Sequence, residues 1–332
     1  MQQSPQLHKT TIEFLKKGKN LLAFSAGVDS SALFFILEEN KIDFDMAIVD
    51  YNAREQSKKE VKYAEELAKK YKKRLFTHSC KLEESNFEHN ARVERYNFFE
   101  EIIKQYGFNN LITAHQLNDK MEWFLMQLGR GSGLVELLGM QEIEQNANYN
   151  KIKPLLQISK QELKEYLSKN DILHFIDESN SLDKYFRNRI RNKYSDSFID
   201  EYAQGIKNSF KFLQKDKELL LPKNEKSIEN LFILQREAED LKNIRQIDKV
   251  IKKLGVLMSA SQREEILRTK DCVISNKIVV VFSKNLIFIS PYSKINMSKK
   301  FKESCRLAKI PLKIRPYIYE KSISVSELVH IL

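Results

Sequence analysis

The sequence predicts an α/β fold: a Rossmann-like parallel sheet with helices on both faces, followed by a smaller mixed α/β domain. Three observations carry this. Short apolar runs alternate with helical patterns through the first half, the connections between them are short, and the pattern changes after about residue 150. Strand–helix alternation with short crossovers is how a parallel sheet buries both faces.

The elements follow in order. Asn20–Phe24 (NLLAF) is a short apolar run of the kind a buried strand needs, and Ser30–Glu39 continues with helical spacing. Met46–Asp50, Arg74–His78 and Asn110–Thr113 read as further strands, with helices at Gln56–Tyr71, 87–106 and 117–128. Ligands of such sheets sit beyond the carboxyl ends of the strands, so the loops after Phe24, Asp50, His78 and Thr113 are the ones to inspect. Ser159 with Glu162 three residues on is a capping box that opens a helix over Ser159–Lys169. A charged helical stretch spans 196–220, and Pro222 ends it. The remainder is expected to start helical and to turn to strands around Cys272–Ile289. The expected domains are therefore 1–195, a helical linker 196–222, and a small basic domain 223–332.

A chain of 332 residues exceeds what one core usually serves. The net charge of +11 favours a polyanionic partner, although a lysine-rich composition alone accounts for it equally well. Cys80, Cys272 and Cys305 are far apart and form no CxxC, which speaks against a local zinc knuckle or redox pair and for a reducing compartment. The first twenty residues contain no long apolar run, so a cytoplasmic protein without a membrane partner is expected. The oligomeric state stays open, a homodimer included.

Ser25-Ala26-Gly27-Val28-Asp29-Ser30 lies between the first strand and the first helix. Small residues there let backbone N–H groups approach an anion, and the helix N-terminus faces it. The loop lacks the Lys of a Walker motif and is not GxGxxG. An aspartate in a phosphate cradle makes sense if Mg²⁺ lies between the two negative groups. By local composition alone the same residues read first as a tight strand–helix turn with Asp29 or Ser30 as cap, and the rest of the chain changes that balance.

Longer blocks then accumulate. The loop resembles the SGGxDS loop of the N-type ATP pyrophosphatases, with Ala26 in place of one Gly. Thr113-Ala114-His115-Gln116-Leu117-Asn118-Asp119-Lys120-Met121-Glu122 resembles the TAHHxDDxxET segment of the tRNA(Ile)-lysidine synthetases. Gln116 stands for the second His, Asn118 for the first Asp, and Trp123 for the Thr. Asn90–Phe99, Leu128–Met140 and Asp177–Arg191 are similar to further blocks of that family, in the same order.

The resemblance implies a reaction and its parts. ATP and Mg²⁺ are the expected cofactors, and the expected partners are free lysine and a tRNA(Ile) with anticodon CAU. The wobble cytidine is adenylated at its C2 oxygen and then attacked by lysine. Ser25, Ala26, Gly27, Val28, Asp29 and Ser30 would hold ATP, with Asp29 and Asp119 as metal anchors. Asp29, Arg92, His115, Asp119 and Arg130 are the candidate catalytic set, the arginines meeting phosphate charge. Asp119 and Glu122 would bind lysine. Arg187, Asn188, Arg189 and Arg191 would grip tRNA, together with Arg306, Lys309, Lys313 and Arg315, which belong to a run over 299–316 with seven Lys or Arg and one acid. A tRNA thiolase of the same superfamily and a tRNA-binding protein without turnover are the rival readings. Separated cysteines weigh against the first.

Overall fold

The structure is a computed structural model that describes residues 4–52, 55–81, 86–146, 148–176, 186–221 and 225–331. It divides into two compact units, Met1–Gln214 and Lys215–Leu332. Asp177, Glu178, Ser179, Asn180, Asp183 and Pro222, singled out in the sequence, lie outside the described residues.

In the first unit the order is α1 (Lys9–Lys16), β1 (Asn20–Ala23), α2 (Val28–Glu39), β2 (Asp45–Asp50), α3 (Glu55–Tyr71), β3 (Leu75–Ser79), α4 (Phe87–Tyr106), β4 (Asn110–Ile112), α5 (Leu117–Leu128), α6 (Leu134–Leu137), β5 (Ile143–Gln145), β6 (Asn150–Ile152), α7 (Lys160–Lys169) and α8 (Phe186–Ile190). A π-helical turn, Arg191–Ser195, joins α8 to α9 (Asp196–Leu220), which has non-helical backbone at Tyr202. The sheet order is β3-β2-β1-β4-β6-β5, parallel except for the edge strand β5. Helices on each face bury it: Leu22, Met46 and Ile112 face one core with α2, and Leu21, Ala47 and Leu111 face another with Phe98, Phe99, Ile102 and Ile103 of α4. Burial on both faces is why these strands read as continuous apolar runs.

The chain runs outward from β1 to β3 and then restarts on the other side at β4. The carboxyl ends of β1 and β4 therefore bound the crevice where doubly wound sheets bind ligands. At the opposite, amino-terminal ends, Asn20, Asn110 and Asn150 stand in register across three strands. Asn110 Nδ2 donates to Asn20 Oδ1 at 2.8 Å and Asn150 Nδ2 to Asn110 Oδ1 at 2.9 Å. Asn20 Nδ2 donates to the carbonyls of Leu15 and Asp43, so this polar ladder is satisfied.

The second unit contains β7 (Glu225–Ile228), β8 (Leu231–Gln235), α10 (Asp240–Lys253), α11 (Ala260–Thr269), β9 (Asp271–Ile274), β10 (Ile278–Phe282), β11 (Leu286–Pro291), α12 (Lys299–Leu307), α13 (Arg315–Glu320) and α14 (Val325–Ile331). Its antiparallel sheet has the order β7-β8-β11-β10-β9. The helical start expected for 223–332 is corrected: among the described residues this stretch opens with the β7–β8 hairpin. Phe232 and Leu234 face α10 and α11, while Leu231 and Ile233 face α12 and α13. With both faces apolar, the period of two that marks a half-buried strand is hidden.

Candidate active site

The phosphate loop follows β1 and runs into the first turn of α2, with Gly27 as N-cap. Ser25 N donates to Ser30 Oγ at 3.3 Å, and Ser30 Oγ donates to Gly27 O at 3.2 Å, which closes the loop on itself. Phe175 N donates to Ala26 O at 2.9 Å and pins it from outside. Val28 packs partly buried against the core beneath. Ala26 has φ 57°, in the left-handed region, and is fully buried.

That conformation costs an L-residue about 1–2 kcal/mol. Glycine would relieve it but would give back about 0.5–1 kcal/mol in chain entropy and about 0.8 kcal/mol for the lost buried methyl. The opposing effects nearly cancel. Ala26→Gly should therefore change the unfolding free energy by less than about 1 kcal/mol in urea titration. A much larger gain would mean that the methyl strains the loop.

Asp29 lies in the first turn of α2. Its Oδ1 is buried and has no hydrogen-bond partner. Burial, with Asp119 and Glu122 as nearby like charges, pushes its carboxyl up to about 7 against the pull of Lys160 and Arg191. A buried, partnerless carboxylate oxygen beside a second carboxylate is an arrangement that a divalent cation resolves. Asp29 and Asp119 are thus a fitting donor set for Mg²⁺.

Beyond β4, Gln116 caps α5. Its side chain accepts from Asn118 N at 2.5 Å, and Asp119 Oδ2 accepts from Gln116 N at 3.1 Å. Burial works to raise the Asp119 carboxyl, but the Arg187 guanidinium, His115 and the Gln116 N–H outweigh it and hold it below the usual range. His115 Nδ1 lies 2.9 Å from Thr113 Oγ1. Burial, joined by the charges of Lys153, Arg187 and Arg92 and opposed by Asp119, lowers its imidazole to about 4. At neutral pH it is an uncharged base.

Glu122 is 1% exposed and faces two guanidiniums. Arg187 Nε donates to Glu122 Oε2 at 2.7 Å and its Nη2 to Asp119 Oδ1 at 2.6 Å, while Arg191 Nε donates to Glu122 Oε1 at 2.6 Å. The spacing of four residues puts both arginines on one side of their helix. Arg187 and Arg191 thereby enter the site itself. Asn188 is buried, and Arg189 lies over the Phe186 ring at 5.7 Å.

The departures from the family pattern have local partners. Asn118 is buried, donates from Nδ2 to Asp196 Oδ1 at 2.7 Å and accepts from Lys160 N at 3.1 Å. An aspartate there would meet Asp196 as a like charge. Trp123 Nε1 donates to Glu136 O at 2.9 Å and packs over Gly139.

Arg92 is exposed on α4 with its guanidinium 4.7 Å from the Tyr96 ring, and its charge reaches His115 and Lys153. Arg130 is not brought to this cluster. It lies past the carboxyl end of α5, roughly 16 Å along the helix from Asp119. The structure adds two cations that the motifs did not name. Lys153 is buried at the end of β6, bonded to Glu144, and Lys160 begins α7 near Asp29. Their signal was present in Lys153-Pro154-Leu155-Leu156 and the following capping box, which mark a strand end and a helix start at the sheet's functional edge.

In the second unit Arg306 pairs with Glu303 at 2.6 Å and Lys313 with Asp271 at 2.7 Å. Arg315 Nε donates to Ile310 O at 2.9 Å, and Lys309 sits at φ 55° after α12. Cys272 and Cys305 are buried against opposite faces of this sheet. Among the described residues, no helix is long and apolar enough to cross a membrane.

A doubly wound sheet with this loop at its switch point defines a nucleotide-binding protein of the PP-loop class, which uses ATP. The PP-loop domain family matches residues 2–197. The tRNA(Ile)-lysidine synthase of Campylobacter jejuni subsp. jejuni serotype O:2 is 45% identical over 325 residues, covering 97% of this chain and 99% of that protein. Those of Wolinella succinogenes and Helicobacter pylori strain 26695 are 44% and 41% identical, each across 94% of this chain and 96% and 92% of their own. The chain belongs to the tRNA(Ile)-lysidine synthase family of ligases.

Proposed function

We propose that this protein modifies tRNA(Ile) with anticodon CAU by replacing the C2 oxygen of its wobble cytidine with lysine, at the expense of ATP. The carrying observation is the buried Asp29 carboxyl in the phosphate loop, whose Oδ1 has no hydrogen-bond partner, with Asp119 and Glu122 as nearby like charges. The cytidine oxygen is a poor leaving group. Its attack on the α-phosphorus of ATP releases pyrophosphate and makes it part of AMP, a good one. Attack by the lysine amine at C2 then expels AMP and leaves lysidine.

The residues divide this work. Loop N–H groups from Ser25 to Ser30 receive phosphate oxygens, and Arg92, Lys153 and Lys160 supply positive charge around them. Asp29 and Asp119 would hold Mg²⁺, which neutralises charge on the phosphates when bound. Asp119 and Glu122 would receive the lysine ammonium group, with half-exposed Arg187 the guanidinium best able to move aside. Lysine attacks as a free amine, and His115, Asp119 and Glu122 are the candidate acceptors for its proton. The basic run over 299–316 is the proposed tRNA surface of the second unit, with Arg306, Lys309, Lys313 and Arg315.

The test is incubation with ATP, Mg²⁺, radiolabelled lysine and unmodified tRNA(Ile) transcript. Label in precipitated tRNA is expected. ATP consumption without label would favour another nucleophile such as sulfur, and neither would favour binding without turnover.

A further inference from the structure

We propose that His78, Cys80 and Glu94 form a binding site for a zinc-class divalent cation at the carboxyl end of β3. The three ligand atoms lie within 4.8 Å of one another, and His78 Nε2 is 2.9 Å from Glu94 Oε1. His78 and Cys80 are two residues apart on extended chain, since Cys80 N still donates to Asp50 O at 2.9 Å, so both side chains leave the same face of the sheet. Glu94 reaches them from α4, which covers that face.

The geometry needs little adjustment. Tetrahedral zinc with one sulfur, one nitrogen and one oxygen ligand separates its donors by about 3.3–3.6 Å. The His78–Glu94 pair has to open by a few tenths of an ångström, and the thiol has to turn inward. The ring is already held for this: His78 stacks on Phe98 with centroids 5.1 Å apart and planes 22° apart. Phe98 lies one helical turn from Glu94, so a single face of α4 both orients the imidazole and supplies the carboxylate.

Donor chemistry sets the metal class. Thiolate with imidazole and carboxylate is a borderline-soft set that suits zinc, whereas Mg²⁺ and Ca²⁺ take oxygen. The local field also favours a cation, because Asp50 and Glu94 both act on Cys80 as negative neighbours. All three ligands are partly exposed, which gives the ion a way in and leaves the fourth position to water. The site lies on the edge strand, two strands from β1 or roughly 10 Å, and is separate from Asp29 and Asp119. Its effect on the reaction would be positional: Arg92 precedes Glu94 by two residues, so the ion would tie that part of α4 to the sheet.

The test uses the full-length chain stripped with chelator and titrated with Co²⁺ as a spectroscopic probe. One thiolate-ligated Co²⁺ per chain is expected, read from a thiolate-to-cobalt charge-transfer band that Zn²⁺ displaces and Mg²⁺ does not. Cys80→Ser should abolish the band, and His78→Ala or Glu94→Gln should weaken binding by more than about 10-fold. Cys272→Ser and Cys305→Ser should leave it intact. Zinc should raise the thermal midpoint of the parent chain and not that of Cys80→Ser, with metal-free midpoints showing that each variant is folded. Absence of a saturable thiolate band, or a band that survives Cys80→Ser, would overturn the site and leave His78–Glu94 as a plain hydrogen bond.

Discussion

Asp29→Asn is expected to abolish lysine transfer while making the metal-free protein more stable at neutral and alkaline pH. The loss of turnover should be about a thousandfold or more, since a bound cation contributes several kcal/mol of charge stabilisation at a departing phosphate. The stability gain follows from linkage. The folded carboxyl titrates at about 7 and the unfolded one near 3.8. Between those values the folded state keeps a proton that the unfolded state has released, so stability falls as pH rises through this window and stays low above it. Asparagine carries no such charge. In chelator the variant should match the parent near pH 4 and exceed it at pH 8, by an amount on the order of a few kcal/mol. Added Mg²⁺ should stabilise the parent alone. Denaturant titrations at both pH values, with and without Mg²⁺, check this; a variant that is no more stable at pH 8 would mean that Asp29 is already paired.

Glu122→Ala should strongly destabilise the first unit. The carboxylate is 1% exposed and bridges Arg187 and Arg191, which are 43% and 16% exposed. Breaking a buried pair from one side costs about 3–5 kcal/mol, because the remaining charge loses its partner inside the protein. Asp119 retains contact with Arg187, and Arg187 can turn to water, so the lower end is expected. Arg191→Met leaves Glu122 with Arg187 and should cost only about 1–2 kcal/mol. Unfolding in urea separates the two. Glu122→Gln keeps the shape and one acceptor, so it should fold and show its defect as a raised KM for lysine. A normal KM would remove Glu122 from the lysine subsite.

Much of the first unit was legible because local pattern and tertiary role agree there. NLLAF is a strand by composition and also the buried centre of the sheet, and the loop after it falls at the switch point. What was not legible depends on partners distant in sequence. Asn118 looked like a lost charge, yet its amide joins Asp196, 78 residues away. Arg187 and Arg191 read as a basic surface face because their carboxylates lie on another helix. Arg130 sits in a motif with site residues, but a three-turn helix carries it away from them. The β7–β8 hairpin escaped because burial on both faces erases alternation in β8, while β7, Glu225-Lys226-Ser227-Ile228, is polar and has no fully buried residue.

The π-helical turn over Arg191–Ser195 has a consequence for how this part of the chain can vary. Up to its first residue the helix presents Arg187 and Arg191 to α5, and downstream Ile199, Ile206 and Phe210 pack with Leu117 and Met121 of the same α5. A turn closed by i→i+5 bonds takes in an extra residue and so delays the helical phase. That delay helps two stretches of different chemistry, one ionic and one apolar, to face a single neighbour. Chain length in this segment is therefore under the same constraint as residue identity. Removing one residue would leave every side chain in place by type and turn one of the two faces off its target.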